Sequence, residues 1–521
     1  MQDGYGNGDA VCEGWWYYHN QNWHLALGRW GVRYLNDLIG KNMVLPHLIV
    51  FIYSLIVIVS VLILKELLKI KSLITVGLSA AIMMVNTCVI SQLEFRHVAL
   101  SMGFSLLFTM IFAFCARFGK IWINCIGVAC TVLFMGLYQS YISVIAVVTL
   151  ETIVMNAISG RAMMPDRNDG NDTDKATSII KDSLIYLLRS IIAGGVGCII
   201  YFVILKLEFG RWNSEEAERM AGFSVTDTFL RLPKSIVAAY KQFFLFFNDI
   251  MLSRYFVYRL IFLIMAISLI FIIVNMIKSR QWRRLALMCI AGILIPVAAY
   301  LIIIILPKAG ISNQMSYQYF LIIPFALALI ERGAEACAQN AQGLKKTYPI
   351  GLLTNIVKAI SYILVFIIAC TYIINANATF RAYELSYNSV KSQFERILDR
   401  VYELDGFVVD ETAIIPVGVV DDSAVRRTQG EIYQYAIDDF PSSVYSWGGY
   451  NIVKDARYYY MTGMLGVDPK YSVDEPMAEV YDNIINSDEF KSMPLWPTEG
   501  SVAMIDGVAV VKLTDDPPPT E

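Results

Sequence analysis

Residues 48–71 read LIVFIYSLIVIVSVLILKELLKIK, an apolar run that ends among three lysines. An apolar block of this length crosses a bilayer as a helix of about 20 residues. Lys65, Lys69 and Lys71 follow the apolar part, and loops on the cytoplasmic side of a membrane carry an excess of positive charge. This stretch therefore predicts a membrane-spanning helix and also its orientation.

The same pattern recurs along the chain of 521 residues, of which 56% are hydrophobic and only 17% charged. Soluble domains carry about 25% charged residues. The candidate spans are 46–64, 72–90, 98–116, 121–138, 141–158, 184–205, 255–277, 285–306, 316–330 and 359–374. We therefore predict a polytopic α-helical membrane domain, residues 46–374, with about ten spans.

Basic residues cluster in every second link between these spans. They follow the first, third, fifth, seventh and ninth spans, as in Lys71, Arg117, Arg167, Arg284 and Lys345. The positive-inside rule places these links in the cytoplasm. Residues 1–45 and 375–521 then lie outside, with loops 91–97, 139–140, 206–254 and 307–315. Because a 45-residue outer segment needs a span before it, we expect an eleventh span upstream of Met1.

The C-terminal region, residues 375–521, differs in charge, with 11 Lys and Arg against 25 Asp and Glu. This acidic balance argues against nucleic acid as a partner, because phosphates would repel it. Asp506-Gly507 between two short apolar runs predicts a β-hairpin. Further predicted elements are helices at 384–404 and 476–485 and a strand at 413–420. The pattern predicts an extracytoplasmic α/β domain.

The first outer segment, residues 3–37, combines carboxylates with many aromatic side chains. Asp3, Asp9 and Glu13 precede Arg29 and Trp30. Aromatic rings beside carboxylates can hold a sugar, because rings cover its C–H face and acids accept hydrogen bonds from its hydroxyls. The alternative is an aromatic belt at the membrane interface. His19 and His24 could join Asp9 and Glu13 as ligands of a divalent metal.

Further candidate residues lie in the other outer loops. Loop 206–254 and the span after it contain cations suited to a lipid phosphate, and 226–247 predicts an amphipathic helix on the membrane with four phenylalanines toward lipid. The alternative for this helix is simple interfacial anchoring. The cations of this region that we select are Lys241, Arg254 and Arg259.

Ionisable residues at membrane depth are functional candidates, and loop 91–97 contains Glu94, Arg96 and His97. A tight turn follows the fourth span, and its Gln139 and Tyr141 are candidates for hydrogen bonds to sugar hydroxyls.

Several of these motifs resemble the type II serotype-converting O-antigen glucosyltransferases, membrane glycosyltransferases of the GT-C class. The similar motifs are Asp9, Gly28-Arg29-Trp30, and Met493-Pro494-Leu495-Trp496-Pro497 followed by Gly500, Ser501 and Asp506-Gly507-Val508. The resemblance implies a GT-C-like fold with 10–11 spans in a bacterial cytoplasmic membrane. It also implies transfer of a hexose from polyprenyl phosphate to a surface polysaccharide or lipid-linked glycan, and we expect that hexose to be glucose.

The resemblance implies roles as well. A carboxylate near the outer surface acts as general base on the acceptor hydroxyl, with Asp9 preferred over Asp3 and Glu13. Cationic side chains stabilise the polyprenyl phosphate that leaves, and transfer can be inverting or retaining. The competing interpretations are a lipid-linked glycan flippase or other transporter, and a polysaccharide polymerase or O-acyltransferase. A transporter is typically built from paired broken helices in corresponding halves, and the sequence has no clear repeat.

Overall fold

The computed structural model describes residues 24–25, 27–39, 46–160, 175–209, 225–247, 255–306, 313–342, 347–418, 465–470 and 475–513. The first helices are α1 (Trp30–Ile39), α2 (Pro46–Leu68), α3 (Leu73–Val85), α4 (Thr87–Glu94), α5 (Arg96–Cys115), α6 (Ile121–Leu137), α7 (Ile142–Ser159) and α8 (Lys175–Phe209). They continue with α9 (Val225–Phe246), α10 (Tyr255–Lys278), α11 (Trp282–Ala299), α12 (Leu301–Ile305), α13 (Tyr317–Phe320), α14 (Ile322–Gln342) and α15 (Thr347–Tyr402). The C-terminal elements are β1 (Ile414–Val417), α16 (Glu475–Asn486), α17 (Asp488–Ser492), β2 (Val502–Ile505) and β3 (Val508–Lys512).

Within the described part of the chain, seven helices are long and apolar enough to cross a membrane. They are α2, α5, α7, α8, α10, α11 and the first part of α15. An eighth is reached if α3 and α4, which meet at an angle of 41°, count as one span. This confirms a mostly helical, multi-pass membrane protein. The described residues contain seven or eight such spans, where the sequence predicts ten between residues 46 and 374.

The differences arise where an apolar run does not form one straight helix. Asn86 accepts a hydrogen bond from Val89 N and caps α4, so the predicted span 72–90 is bent. The predicted span 285–306 is divided at Tyr300 into α11 and the short α12. Helix α6, over the predicted span 121–138, has 17 residues. Composition alone cannot show such breaks, because every residue in these runs is compatible with a bilayer.

Basic links meet at one end of the helix bundle. Lys71 Nζ and Arg332 Nη1 each lie 2.8 Å from a carboxylate oxygen of Glu335. Arg332 Nη2 also donates to Lys69 O at 2.7 Å, and Lys69 Nζ donates to Ser159 Oγ at 2.7 Å. Links after the predicted first, fifth and ninth spans therefore lie together, as the alternation of charge requires.

The link after the seventh predicted span joins the same end. Arg284 is buried, and its guanidinium donates to Ala157 O and Ile158 O, both at 2.9 Å.

The Glu335 carboxyl, which pairs with Lys71 and Arg332 at this end, has a pKa below its ordinary value. Burial is the largest single influence and raises this pKa, but Lys71 and Arg332 together outweigh it. We call this end of the bundle the basic end.

Helix α15 continues past the predicted span 359–374 through the helix predicted at 384–404. Its 56 residues correspond to about 84 Å at 1.5 Å per residue. The two predicted elements are therefore one continuous helix, which joins the bundle directly to the C-terminal elements. No glycine or proline lies between Ile374 and Glu384 to interrupt it.

The C-terminal strands form a sheet in the order β1-β3-β2, with β1 parallel and β2 antiparallel to β3. Asp506 and Gly507 both have positive φ, which a two-residue hairpin turn requires. Alternate residues face opposite sides of a sheet. Ala509 and Val511 accordingly join the cluster that contains Ile397 of α15, whereas Val510 packs with Tyr481 of α16.

Arg400 fastens the loop before β2 to the end of α15. Its Nη1 donates to Pro497 O at 2.8 Å and to Thr498 O at 3.2 Å. The guanidinium also lies 4.7 Å from the centre of the Trp496 ring. The Met493–Pro497 motif therefore packs against α15.

Candidate active site

The Gly28-Arg29 turn stands at the start of α1. Gly28 has φ of +71°, a conformation that residues with a Cβ adopt only at a cost. Its N–H donates to Leu25 O at 2.8 Å, and Arg29 N donates to His24 O at 2.6 Å. These bonds turn the chain sharply, and Arg29 is the last residue before α1.

Two side chains from distant helices hold this turn. Gln139 Nε2 donates to Leu27 O at 2.8 Å and lies 3.1 Å from Tyr201 Oη. The Tyr201 hydroxyl in turn donates to Gly28 O at 2.9 Å. A Cβ at position 28 would collide with that hydroxyl. The glycine therefore satisfies both the backbone conformation and the close approach of α8.

Arg29 lies over the ring of Tyr138, with its Cζ atom 4.4 Å from the ring centre. Tyr138 is buried, so the packing around its ring limits where the guanidinium can lie. A cation on an aromatic face gains roughly 0.5–2 kcal/mol, more when it is shielded from water. The structure thus fixes a positive charge beside the turn that contains Gln139.

Trp30 has a packing role in this structure. It is 9% exposed, and its ring lies so close to Gly136 that a Cβ there would be 2.6 Å from the indole. Gly31 also approaches the Gly136 backbone closely, since its Cβ would lie 3.1 Å from the carbonyl carbon. Trp30 therefore joins α1 to α6, and the sequence-based expectation of a sugar contact does not fit its burial.

Glu94 ends the buried helix α4 and is only 1% exposed. Phe95 separates it from α5, which begins at Arg96. The side chains of Arg96 and His97 lie outside the described part of the structure. Of the three candidates predicted in loop 91–97, the structure therefore describes only the Glu94 side chain, a carboxylate enclosed at the junction of α4 and α5. Helix α1 packs against both α5 and α6, so this junction and the Arg29 turn share one end of the bundle.

Gln92 links four segments at this end. It accepts a hydrogen bond from Tyr53 Oη at 2.6 Å. Its Nε2 lies 3.2 Å from Tyr141 Oη and 3.0 Å from Gln314 O. Tyr141 is 1% exposed, so its hydroxyl supports the buried network, and the expected contact with sugar hydroxyls does not fit this position.

Helix α9 confirms the predicted amphipathic segment but not the orientation of its phenylalanines. Phe246 stacks on Tyr319 with ring centres 4.4 Å apart, and Phe243 lies 6.1 Å from the same ring. Phe247 is buried against Phe262. Of the four predicted lipid-facing rings, three therefore pack on the protein, because the bundle offers an aromatic cluster that the sequence does not reveal. Phe244 alone of the four is exposed, at 64%.

The predicted cations near α9 are placed in part. Lys241 on α9 and Arg259 in the second turn of α10 are both exposed. Arg254 lies outside the described residues. Exposure leaves Lys241 and Arg259 accessible to a charged ligand or to lipid headgroups.

The predicted catalytic acids Asp3, Asp9 and Glu13 lie outside the described residues, as does His19. His24 is described and buried. Among the residues that the structure describes, no group of three or more His, Cys, Asp and Glu side chains could hold a metal ion.

Two residues of this region escaped the sequence analysis. Tyr201 and Gln92 both lie within apolar runs, and their partners are far away in sequence. A polar side chain inside a span must find a partner or a functional use. That rule gives a signal for Gln92, whereas a tyrosine near a span end is usually read as an interfacial residue.

No curated protein and no solved structure matches the chain. A family model described as Glucosyl transferase GtrII matches residues 15–329, more than half of the chain. The matched region contains the Gly28-Arg29 turn, Glu94 and Gln139, and it begins after Asp9 and Glu13. This match confirms the resemblance to the serotype-converting glucosyltransferases. Because this match covers more than half of a chain rich in apolar helices, the chain belongs to the GtrII glucosyl transferase family.

Proposed function

We propose that this membrane glucosyltransferase takes glucose from a polyprenyl phosphate carrier. The acceptor is a hydroxyl group of a surface polysaccharide or a lipid-linked glycan, at the outer face of a bacterial cytoplasmic membrane. The observation that carries this proposal is the fixed position of Arg29 on Tyr138, at the end of the bundle opposite the basic end. A lipid-linked donor suits a site at the membrane surface and requires no nucleotide-binding loop.

In this mechanism the acceptor oxygen attacks the anomeric carbon of glucose. The bond between that carbon and the phosphate oxygen breaks, and the polyprenyl phosphate departs with the electron pair. The acceptor proton passes to a carboxylate of the first outer segment, for which Asp9 is our first candidate. Arg29 is suited to the phosphate, because a guanidinium donates two parallel hydrogen bonds to its oxygens.

The groups that contact Arg29 and its turn have a positioning role in this proposal. Gln139 and Tyr201 set the turn, and Tyr138 limits where the guanidinium can move. An electrostatic group that is already in place needs no reorganisation during the reaction. Glu94, enclosed beside α5, is a second carboxylate at this end that can orient a cation.

The proposed orientation places 1–45 and the acidic region 375–521 outside the cytoplasm. It rests on the positive charge collected at the basic end. A reporter that is active only in the cytoplasm should therefore be silent when fused at Glu521. Strong reporter activity there would invert the orientation and exclude an outer-face reaction.

The test is glucose transfer by the full chain in vesicles that contain glucosyl polyprenyl phosphate and the host's lipid-linked glycan. Asp9→Asn should lower the rate about 10²- to 10⁴-fold, because an amide is a poor base. Glu13→Gln and Asp3→Asn decide which carboxylate is the base. Normal transfer by all three variants would exclude this segment as the source of the base.

Arg29→Ala should also abolish most transfer, through a lost phosphate partner. Arg33→Ala is the matched control, because Arg33 lies one turn further along α1 and is exposed. Equal losses in the two variants would show that general positive charge matters, and the specific role of Arg29 would be withdrawn.

A further inference from the structure

An open groove of about 280 Å³ runs along the first turns of α8, near the basic end. It is lined by Thr177, Ile180, Lys181, Leu184, Ile185 and Leu188. These positions recur every three or four residues and so form one face of the helix. Among the described residues that line the groove, the polar and basic ones, Thr177 and Lys181, lie toward its first turn, and the other four are apolar.

Two cations stand at that polar end. Lys181 lines the groove and is exposed. Arg283, exposed at the start of α11, donates from Nη1 to Thr177 Oγ1 at 3.0 Å. This hydrogen bond holds the guanidinium at the mouth of the groove. The neighbouring Asp182 is buried, so its carboxylate does not stand beside Lys181 on the exposed face.

The dimensions of the groove correspond to one leaflet of a bilayer. Thr177 and Leu188 are eleven residues apart, about 16 Å along the helix axis, and half of the hydrocarbon core is about 15 Å. Leu184 and Leu188 are 54% and 56% exposed and offer a surface for an acyl chain. Basic pockets between membrane helices are known to bind anionic lipid headgroups.

We propose that this groove binds one anionic phospholipid. Its phosphate lies between Lys181 and Arg283, and an acyl chain lies along Leu184 and Leu188. An ordinary annular lipid would need only the apolar face, whereas the paired cations select negative charge. The site is separate from the proposed active site. Tyr201, which bonds to Gly28 O in that site, lies 24 residues beyond Thr177, about 36 Å along α8.

The test is native mass spectrometry of the full chain in detergent, titrated with phosphatidylglycerol or with phosphatidylcholine of the same acyl chains. Each cation near an anionic headgroup contributes about fivefold in affinity. The first lipid bound should therefore prefer phosphatidylglycerol about 30-fold. Lys181→Gln with Arg283→Gln should abolish this preference, and equal retention of both lipids by the unaltered chain would overturn the proposal.

Two further variants separate the groove from general surface charge. Lys278→Gln with Arg280→Gln removes two exposed cations that do not line the groove, so the preference should survive. Leu184→Trp should fill the groove and weaken retention of phosphatidylglycerol without a change of charge. Loss of the preference in the Lys278 and Arg280 variant, or unchanged retention in Leu184→Trp, would place the lipid elsewhere.

Discussion

Replacement of Gly28 by alanine tests the geometry of the Arg29 turn. The left-handed conformation of Gly28 costs a residue with a Cβ about 1–2 kcal/mol. The collision with the Tyr201 hydroxyl adds about 1–3 kcal/mol, the usual cost of overpacking. We therefore expect Gly28→Ala to lower the free energy of unfolding by about 2–5 kcal/mol and to reduce glucose transfer, because Arg29 is displaced.

A second substitution separates the two contributions. Tyr201→Phe removes the colliding oxygen, and the next ring atom, Cζ, would lie at an ordinary 3.6 Å from the new Cβ. By itself Tyr201→Phe loses the hydrogen bond to Gly28 O and one partner of Gln139, about 1 kcal/mol each. The double variant should then be less destabilised than the sum of the single variants by about 1–3 kcal/mol.

The measurement is denaturant unfolding in mixed micelles for the two single variants and the double variant. Gly77→Ala serves as control, because no heavy atom lies within 4 Å of a Cβ there and Gly77 lies within α3. It should be neutral or stabilising by up to about 1 kcal/mol. Additivity of Gly28→Ala and Tyr201→Phe within about 0.5 kcal/mol would refute the contact between the turn and α8.

Three further predictions concern other parts of the molecule. Gly136→Ala should destabilise the chain by about 1–3 kcal/mol through its contact with the indole of α1, whereas Gly127→Ala on the same helix meets only atoms at 3.7 Å or more and should not; equal unfolding transitions would contradict the packing. Glu335 has a lowered pKa, so its stabilising contribution is present above the ordinary carboxyl pKa of about 4.3 and is lost as the pH falls through the lowered value. Between pH 7 and pH 3, the midpoint temperature of thermal unfolding should therefore fall less in Glu335→Gln than in the unaltered chain. Arg400→Ala should speed proteolysis of the C-terminal region, since it removes two hydrogen bonds and a ring contact, whereas Arg396→Ala, one turn earlier on α15, should not.

The sequence determined the class of the protein and much of its local structure. Apolar runs of span length predicted the membrane helices because a bilayer demands about 20 apolar residues. Asp506-Gly507 predicted the hairpin of β2 and β3, because few other residues adopt the turn that it needs. The alternation of basic links also predicted which loops share an end, and the bonds from Lys69 to Ser159 and from Lys71 to Glu335 agree with it.

The candidate site could be predicted only in outline. Gly28-Arg29 and Gln139 were identified from the sequence, but nothing in it indicated that Gln139 would support the turn. Trp30 and Tyr141 have the composition of sugar-binding residues, yet both are buried. An aromatic side chain serves equally well in a core and at a binding surface, so its residue type alone does not decide between the two.

What only the tertiary structure decided are the contacts between residues far apart in the chain. Tyr201 and Gly28 are 173 residues apart, and Gln92 meets Gln314 across 222 residues. The parallel pairing of β1 with β3 is of the same kind, since almost a hundred residues separate them. Periodicity and charge act locally or on whole segments, and they leave open which faces of which helices meet. That choice is made by close packing of specific side chains, because bilayer and core accept the same apolar residues.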